Sequence, residues 1–171
     1  MVEARTALTD RSRDLTRLGA SEIPFLGQLD VRTRDGPFLG FPLEPNTWSR
    51  ARDRDVLWLG PDEWLVVTTP NVAEAVFAEL AATPAGSHHA VVNVSANRVV
   101  LELTGSQRLE LLSTACPIDL DPRTWRDGRC AQTVFGAAQV LLQERGDVTR
   151  LFVRPSFADY VVDLLLAGAE R

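Results

Sequence analysis

Apolar and polar positions alternate along residues 23–32, the period of a half-buried strand. Two apolar runs over residues 56–69 flank Gly60-Pro61-Asp62-Glu63, with proline where a type I turn favours it, and predict a β-hairpin. Residues 71–82 change to helical spacing, with Val72, Ala75, Val76 and Leu80 on one stripe. Strands are predicted again at 88–95 and 98–104, joined through Ser95-Ala96-Asn97. A helix is predicted at 105–115, ending before Pro117, and then a loop to residue 128. Residues 129–145 read as one strand bent at Gly136, Gly146-Asp147 as a turn, 149–154 as a strand and 156–167 as a last helix. Two stretches lack a period. Residues 1–22 are expected as a flexible or surface arm ahead of a single globular domain at 23–171. Residues 33–54, holding Gly36, Pro37, Gly40, Pro42 and Pro45, are expected mostly as loop.

Three helix starts carry capping-box spacing: Asn71 with Glu74, Thr104 with Gln107, and Ser156 with Asp159. Pro84 and Gly86 are expected to stop the first of these helices. The pattern also repeats. Trp64-Leu-Val-Val-Thr-Thr-Pro70 leads into a capped helix with Phe77 and Leu80, and Leu151-Phe-Val-Arg-Pro155 leads into one with Tyr160 and Leu164. The copies lie about 85 residues apart. The architecture this implies is α+β: two βαββα halves, about 23–95 and 96–167, in pseudo-two-fold relation, with mostly antiparallel sheet. The first half is short of room for its first helix, because residues 32–45 are rich in glycine and proline.

The net charge of −5 argues against nucleic-acid and anionic-lipid partners, both of which need a basic surface. The basic residues are arginines interleaved with acids. No apolar run reaches transmembrane length and the first residues form no signal region, so the expected location is the cytoplasm.

Chemistry-bearing residues are few. His88 and His89 are adjacent, and neighbours on a strand point to opposite faces, so one metal cannot take both. Cys116 and Cys130 lack Cys-x-x-Cys spacing and read as buried thiols. Asp62 and Glu63 lie between Trp58 and Trp64, where an aromatic surface raises a carboxyl pKa, or they are solvated turn residues. Gly105-Ser106 opens a helix without the glycine-rich loop or lysine of a phosphate site. Asn93, Asn97, Arg98 and Gln132 either line a pocket or face outward. None of the eleven glycines gives dinucleotide-binding spacing. The expectation is a chain with no catalytic, cofactor or metal residues of its own. Phe38, Phe41, Trp48 and Trp125 fall in loops, where they serve an interface or fold back over the sheet ends.

Several segments together resemble the gamma subunit of heterotetrameric sarcosine oxidase. They are Pro24-Phe-Leu-Gly-Gln-Leu-Asp-Val-Arg32, Pro45-Asn-Thr47, Leu57-Trp-Leu-Gly-Pro-Asp-Glu-Trp64, Asn93-Val-Ser-Ala-Asn-Arg98 and Arg154-Pro-Ser-Phe-Ala-Asp-Tyr160. Leu101-Glu-Leu-Thr-Gly105, Cys116-Pro-Ile-Asp-Leu120 and Gly128-Arg-Cys-Ala-Gln-Thr133 follow in the order that family has. The resemblance covers residues 23–166. It implies a fold like the folate-binding domain of the glycine-cleavage T protein, with two ferredoxin-like halves. It implies an accessory role beside alpha, beta and delta subunits in the oxidative demethylation of sarcosine to glycine. Hydrogen peroxide is the by-product there, and a one-carbon unit goes to tetrahydrofolate. FAD, FMN, NAD, tetrahydrofolate and zinc are then expected on those other subunits. Two other readings stay open: a free-standing folate-binding or one-carbon-transfer protein, for which the resemblance in fold implies a carboxylate toward the pterin with Asp62, Glu63 and Glu102 as candidates, and a scaffold of another amine-oxidising complex.

Overall fold

The computed structural model describes residues 5–34, 38, 40–82 and 88–170. The chain divides into two compact units. Unit 1 comprises Met1–Pro24, Asn97–Asp127 and Gln132–Arg171, and unit 2 comprises Phe25–Ala96 and Gly128–Ala131.

A 3-10 turn at Thr9–Arg11 runs into α1 (Ser12–Arg17), followed by β1 (Ala20–Glu22), β2 (Gly27–Thr33) and β3 (Trp48–Ala51). Then come β4 (Arg54–Gly60), β5 (Glu63–Thr68), a 3-10 turn at Pro70–Val72, α2 (Ala73–Ala82) and β6 (His89–Asn93). The remainder is β7 (Val99–Thr104), α3 (Arg108–Ser113), β8 (Cys130–Phe135), β9 (Ala138–Glu144), β10 (Val148–Val153), a 3-10 turn at Pro155–Phe157 and α4 (Ala158–Ala169).

The strands form two five-stranded sheets, ordered β1-β7-β10-β9-β8 and β3-β4-β5-β2-β6. The β1–β7, β7–β10 and β9–β10 pairs are antiparallel, as are β2–β5, β2–β6, β3–β4 and β4–β5. Read in opposite directions the two orders match place for place: β7 with β2, β10 with β5, β9 with β4, β8 with β3 and β1 with β6. Each half thus has the ferredoxin-like core, with its first and third strands side by side, plus one extra edge strand, β3 or β8. The fourth strand is exchanged. β1, which precedes the first half, completes the sheet of the second, whereas β6 closes the sheet of the first.

The repeat is 85 residues long, the separation of Glu63 from Val148 and of Ala73 from Ala158. The buried helix positions obey the same offset, Val76 with Val161 and Leu80 with Leu165. The stripe therefore differs from the expected match of Phe77 with Tyr160 and of Leu80 with Leu164.

Several expectations are corrected. Within the predicted arm, Leu8 and Leu15 are buried and β1 pairs with β7, because β7 needs a partner on its outer edge. The predicted loop at 33–54 contains β3, whose pairing with β4 comes from sheet position and not from an apolar alternation. The single bent strand at 129–145 is a hairpin of β8 and β9, broken by Gly136 at φ 57. β6 and β7 lie in different sheets. The three capping boxes do not form. Thr69 and Arg154, held extended ahead of prolines, precede the helices, so Asn71 and Ser156 fall inside proline-led 3-10 turns without a side-chain cap. Likewise α3 starts at Arg108, after Gln107, with no side-chain cap. Pro84, Gly86, Gly36 and Pro37 lie outside the described residues.

The core of unit 2 gathers Leu29 and Val31 of β2, Val56 of β4, Trp64 and Val66 of β5, and Val76 and Leu80 of α2. The strand residues share one face because alternate side chains do, and the helix pair is four apart. Phe38 and Phe41 join this cluster, and Trp64 donates its indole N–H to the carbonyl of Pro42 at 2.9 Å. Two of the loop aromatics thus fold inward. At Gly27 a Cβ would lie 2.6 Å from the Ala73 Cβ, so glycine lets α2 approach β2.

Candidate functional site

In unit 1 a carboxylate closes β9, two residues after the apolar run Val140-Leu141-Leu142. Glu144 is 1% exposed. Its oxygens accept from the Trp125 indole N–H at 3.0 Å, the Thr149 hydroxyl at 2.6 Å and the Arg108 guanidinium at 2.6 Å. Thr149 faces Glu144 directly across the β9–β10 ladder. Arg108 also reaches the carbonyls of Gly105 and Gly146. One buried charge therefore ties together the start of α3, the loop before β8, and the β9–β10 turn. Burying a carboxylate is tolerable only with such donors. Trp125, a candidate interface aromatic by sequence, is buried by this contact. Arg108, Glu144 and Thr149 are not marked as a site by the sequence. The available signal was a Gln-Glu pair closing the three-residue apolar run Val140-Leu141-Leu142.

Above Arg108 lies an open cleft of about 720 Å³, lined by Arg17, Gly19, Ser106, Gln107, Glu110 and Gly168 among others. Gly168 allows close packing there, since a Cβ would meet the Thr114 hydroxyl at 2.8 Å. Arg17 and Glu110 bring opposite charges to the lining, so the cleft has no single-sign field.

The sequence candidates do not converge. His89 sits on β6 with Nε2 3.3 Å from the Ala81 carbonyl and its ring edge-on to Phe38, whereas His88 is exposed just before the strand. Among the described residues no group of three or more histidine, cysteine or acidic side chains is placed to hold a metal. Asp62 is in the β4–β5 turn, and Glu63 pairs with Arg32 at 2.7 Å. Glu102 pairs with Arg150 at 2.9 Å. Asn93 accepts from the backbone and hydroxyl of Ser95. Asn97 and Gln132 are exposed and Arg98 is half-buried. Gly105-Ser106 precedes a helix of only six residues. Cys116 is buried with its sulfur 3.9 Å from the Thr133 hydroxyl. Cys130 is fully buried against the carbonyls of Thr47 and Trp58, and burial pushes its thiol up to about 12. A protonated thiol of that kind is no nucleophile at neutral pH.

Residues 41–170 match the sarcosine oxidase, gamma subunit family. A sarcosine oxidase subunit gamma from Corynebacterium sp. (strain P-1) is 38% identical over 97% of this chain and 83% of its own length. The chain belongs to the sarcosine oxidase gamma subunit family. A second family member, from Arthrobacter sp, is 37% identical over 68% of this chain. The match spans little more than half of that protein, 57% of its length. Among solved structures, the chain superposes on heterotetrameric sarcosine oxidase from Corynebacterium sp. U-96, in complex with pyrrole 2-carboxylate, with a TM-score of 0.88. Identity there is 26%, over 98% of this chain and 95% of that one. The glycine cleavage system aminomethyltransferase T from Bartonella henselae has the same fold, with a TM-score of 0.67 at 18% identity, over 92% of this chain and 49% of that one. The resemblance drawn from the motifs and the fold drawn from the repeat therefore both hold for this gamma subunit family member. Among its described residues, no helix is long and apolar enough to cross a membrane.

Proposed function

We propose that this gamma-family chain is a non-catalytic assembly subunit of a multi-subunit sarcosine oxidase. In this reading the complex demethylates sarcosine oxidatively in the cytoplasm. Its alpha, beta and delta subunits carry FAD, FMN, NAD, tetrahydrofolate and zinc. The observation that carries it is the 38% identity to a sarcosine oxidase subunit gamma along 97% of the chain. The interior chemistry is consistent with it. Glu144 and its donors Trp125, Thr149 and Arg108 hold one another, and Arg108 also reaches backbone carbonyls. A set so engaged orders the loop before β8. The likeness to aminomethyltransferase T, at 18% identity, bears on the fold and not on folate binding.

Co-expression with genes for flavin-bearing oxidase subunits tests the proposal. Affinity purification of the tagged chain is expected to bring down a yellow complex that oxidises sarcosine, while the chain purified alone oxidises none. A tagged chain that recovers no flavin-bearing partner under gentle conditions contradicts the assembly role.

A further inference from the structure

Among the described residues, three that are not glycine have a positive φ: Phe25, Asn46 and Arg52. Asparagine enters the left-handed region readily, and Arg52 sits in the tight turn between β3 and β4. Phe25 is different. Its φ is 58, a conformation in which a bulky side chain crowds its own backbone. The residue is also 56% exposed, so more than half of its surface stays in water. The residues that follow have reasons inside the chain. Leu26 is buried, and Gly27 makes room for Ala73. A glycine or an asparagine at position 25 would route the backbone with less strain.

We propose that the Phe25 ring is an anchor that inserts into an apolar pocket on a non-identical subunit of the oxidase complex. The inference rests on the assembly role proposed above. A ring held at a backbone cost and left more than half in water is what an interface anchor is before its partner arrives. A non-identical subunit is favoured over a second copy of this chain because the fold occurs, nearly end to end, as one chain of a heterotetrameric oxidase. Other exposed apolar residues, such as Leu43 at 72%, have ordinary backbone and need no such explanation.

The decisive variant is Phe25→Asn, with Phe25→Gly as a second, since both residues accept the left-handed backbone. Each is purified as the full chain and is also co-expressed with the flavin-bearing subunits, with Leu43→Asn as control. The expected result is a loss of recovered flavin-bearing partner of about ten-fold or more for both Phe25 variants, and none for the control. The Phe25 variants alone are expected to melt at the same or a higher temperature than the parent. Unchanged recovery overturns the inference. So does a lowered melting temperature in both variants, which makes the ring a support of its own chain. A parent chain that self-associates through Phe25, with recovery of the flavin-bearing subunits unaffected, also overturns it in favour of a second copy. If the parent itself recovers no partner, the assembly role and this inference fall together. Failure of the variants alone to weaken assembly sinks only the anchor.

Discussion

The indole N–H of Trp125 and the carboxylate of Glu144 meet at 3.0 Å with both side chains buried, one from a loop and the other from the end of a strand. The contact explains how a long stretch without regular structure, between α3 and β8, keeps a fixed path. Arg108 and Thr149 complete the set, so no member can be removed without leaving a buried polar group short of a partner.

Glu144→Ala is expected to destabilise the chain by about 2–4 kcal/mol, since it strands the Arg108 guanidinium and the Trp125 indole in the interior. Trp125→Phe keeps most of the packing and removes one donor, so its loss should be smaller, about 1–2 kcal/mol. Urea unfolding of the two single variants and the double variant checks the coupling. If the two losses simply add, the indole and the carboxylate do not act as a pair.

The β8–β9 turn predicts a second result. Gly136 has φ 57, and a Cβ there would lie 2.3 Å from the Tyr160 hydroxyl. That hydroxyl accepts the N–H of Ala137 at 3.0 Å. Gly136→Ala should therefore cost more than the usual 1–2 kcal/mol of a left-handed alanine, because Tyr160 must also move. Tyr160→Phe should cost about 1 kcal/mol for the lost hydrogen bond. In the Tyr160→Phe background the penalty of Gly136→Ala should shrink. An unchanged penalty would leave the backbone angle and the Leu164 side chain, whose Cδ2 would lie 2.7 Å from the added Cβ, as its causes.

A third prediction concerns how α4 begins. Pro155 leads the 3-10 turn into the helix, and Ser156 makes no capping bond. Ser156→Ala is expected to shift stability by no more than about 0.5 kcal/mol, the range of ordinary surface changes. A loss near the 1 kcal/mol of a removed cap would place the cap at Ser156 after all.

What was legible follows from what each element depends on. The β4–β5 hairpin and α2 announce themselves because their apolar periods are set by their own burial. The repeat was visible because Pro70 and Pro155 punctuate matching strand-to-helix junctions. β1 and β3 were not visible. β1 has three residues and β3 four, and their pairing is decided by β7 and β4 far along or across the sheet. Two of the three capping boxes failed for a local reason, since Pro70 and Pro155, one position earlier, take over the first turn. The Glu144 set was hidden because its members lie at 108, 125, 144 and 149, and only the folded sheet brings them together.

The last prediction follows from Cys130. Burial raises its thiol from 9.0 to about 12, and the nearby Arg129 charge and Trp58 backbone only partly oppose this. The folded pKa lies above the unfolded one. Below the unfolded value both states keep the proton, and the contribution to stability is fully present. As pH rises from 9.0 toward about 12, the unfolded chain ionises while the folded chain cannot, so stability is lost across that window. Three pH units of that kind set an upper bound of roughly 4 kcal/mol. Urea unfolding at about pH 8 and about pH 10.5 should show a steeper loss for the parent than for Cys130→Ala. The variant pays a packing penalty at both pH values but carries no thiol to ionise. The comparison of slopes is therefore unaffected by its lower starting stability, and by tyrosine and Cys116, which both proteins share. A disulfide-exchange reagent at about pH 8 gives the kinetic counterpart: the thiol should react only as fast as the chain unfolds. Equal alkaline slopes together with rapid native-state labelling would mean that Cys130 is open to solvent.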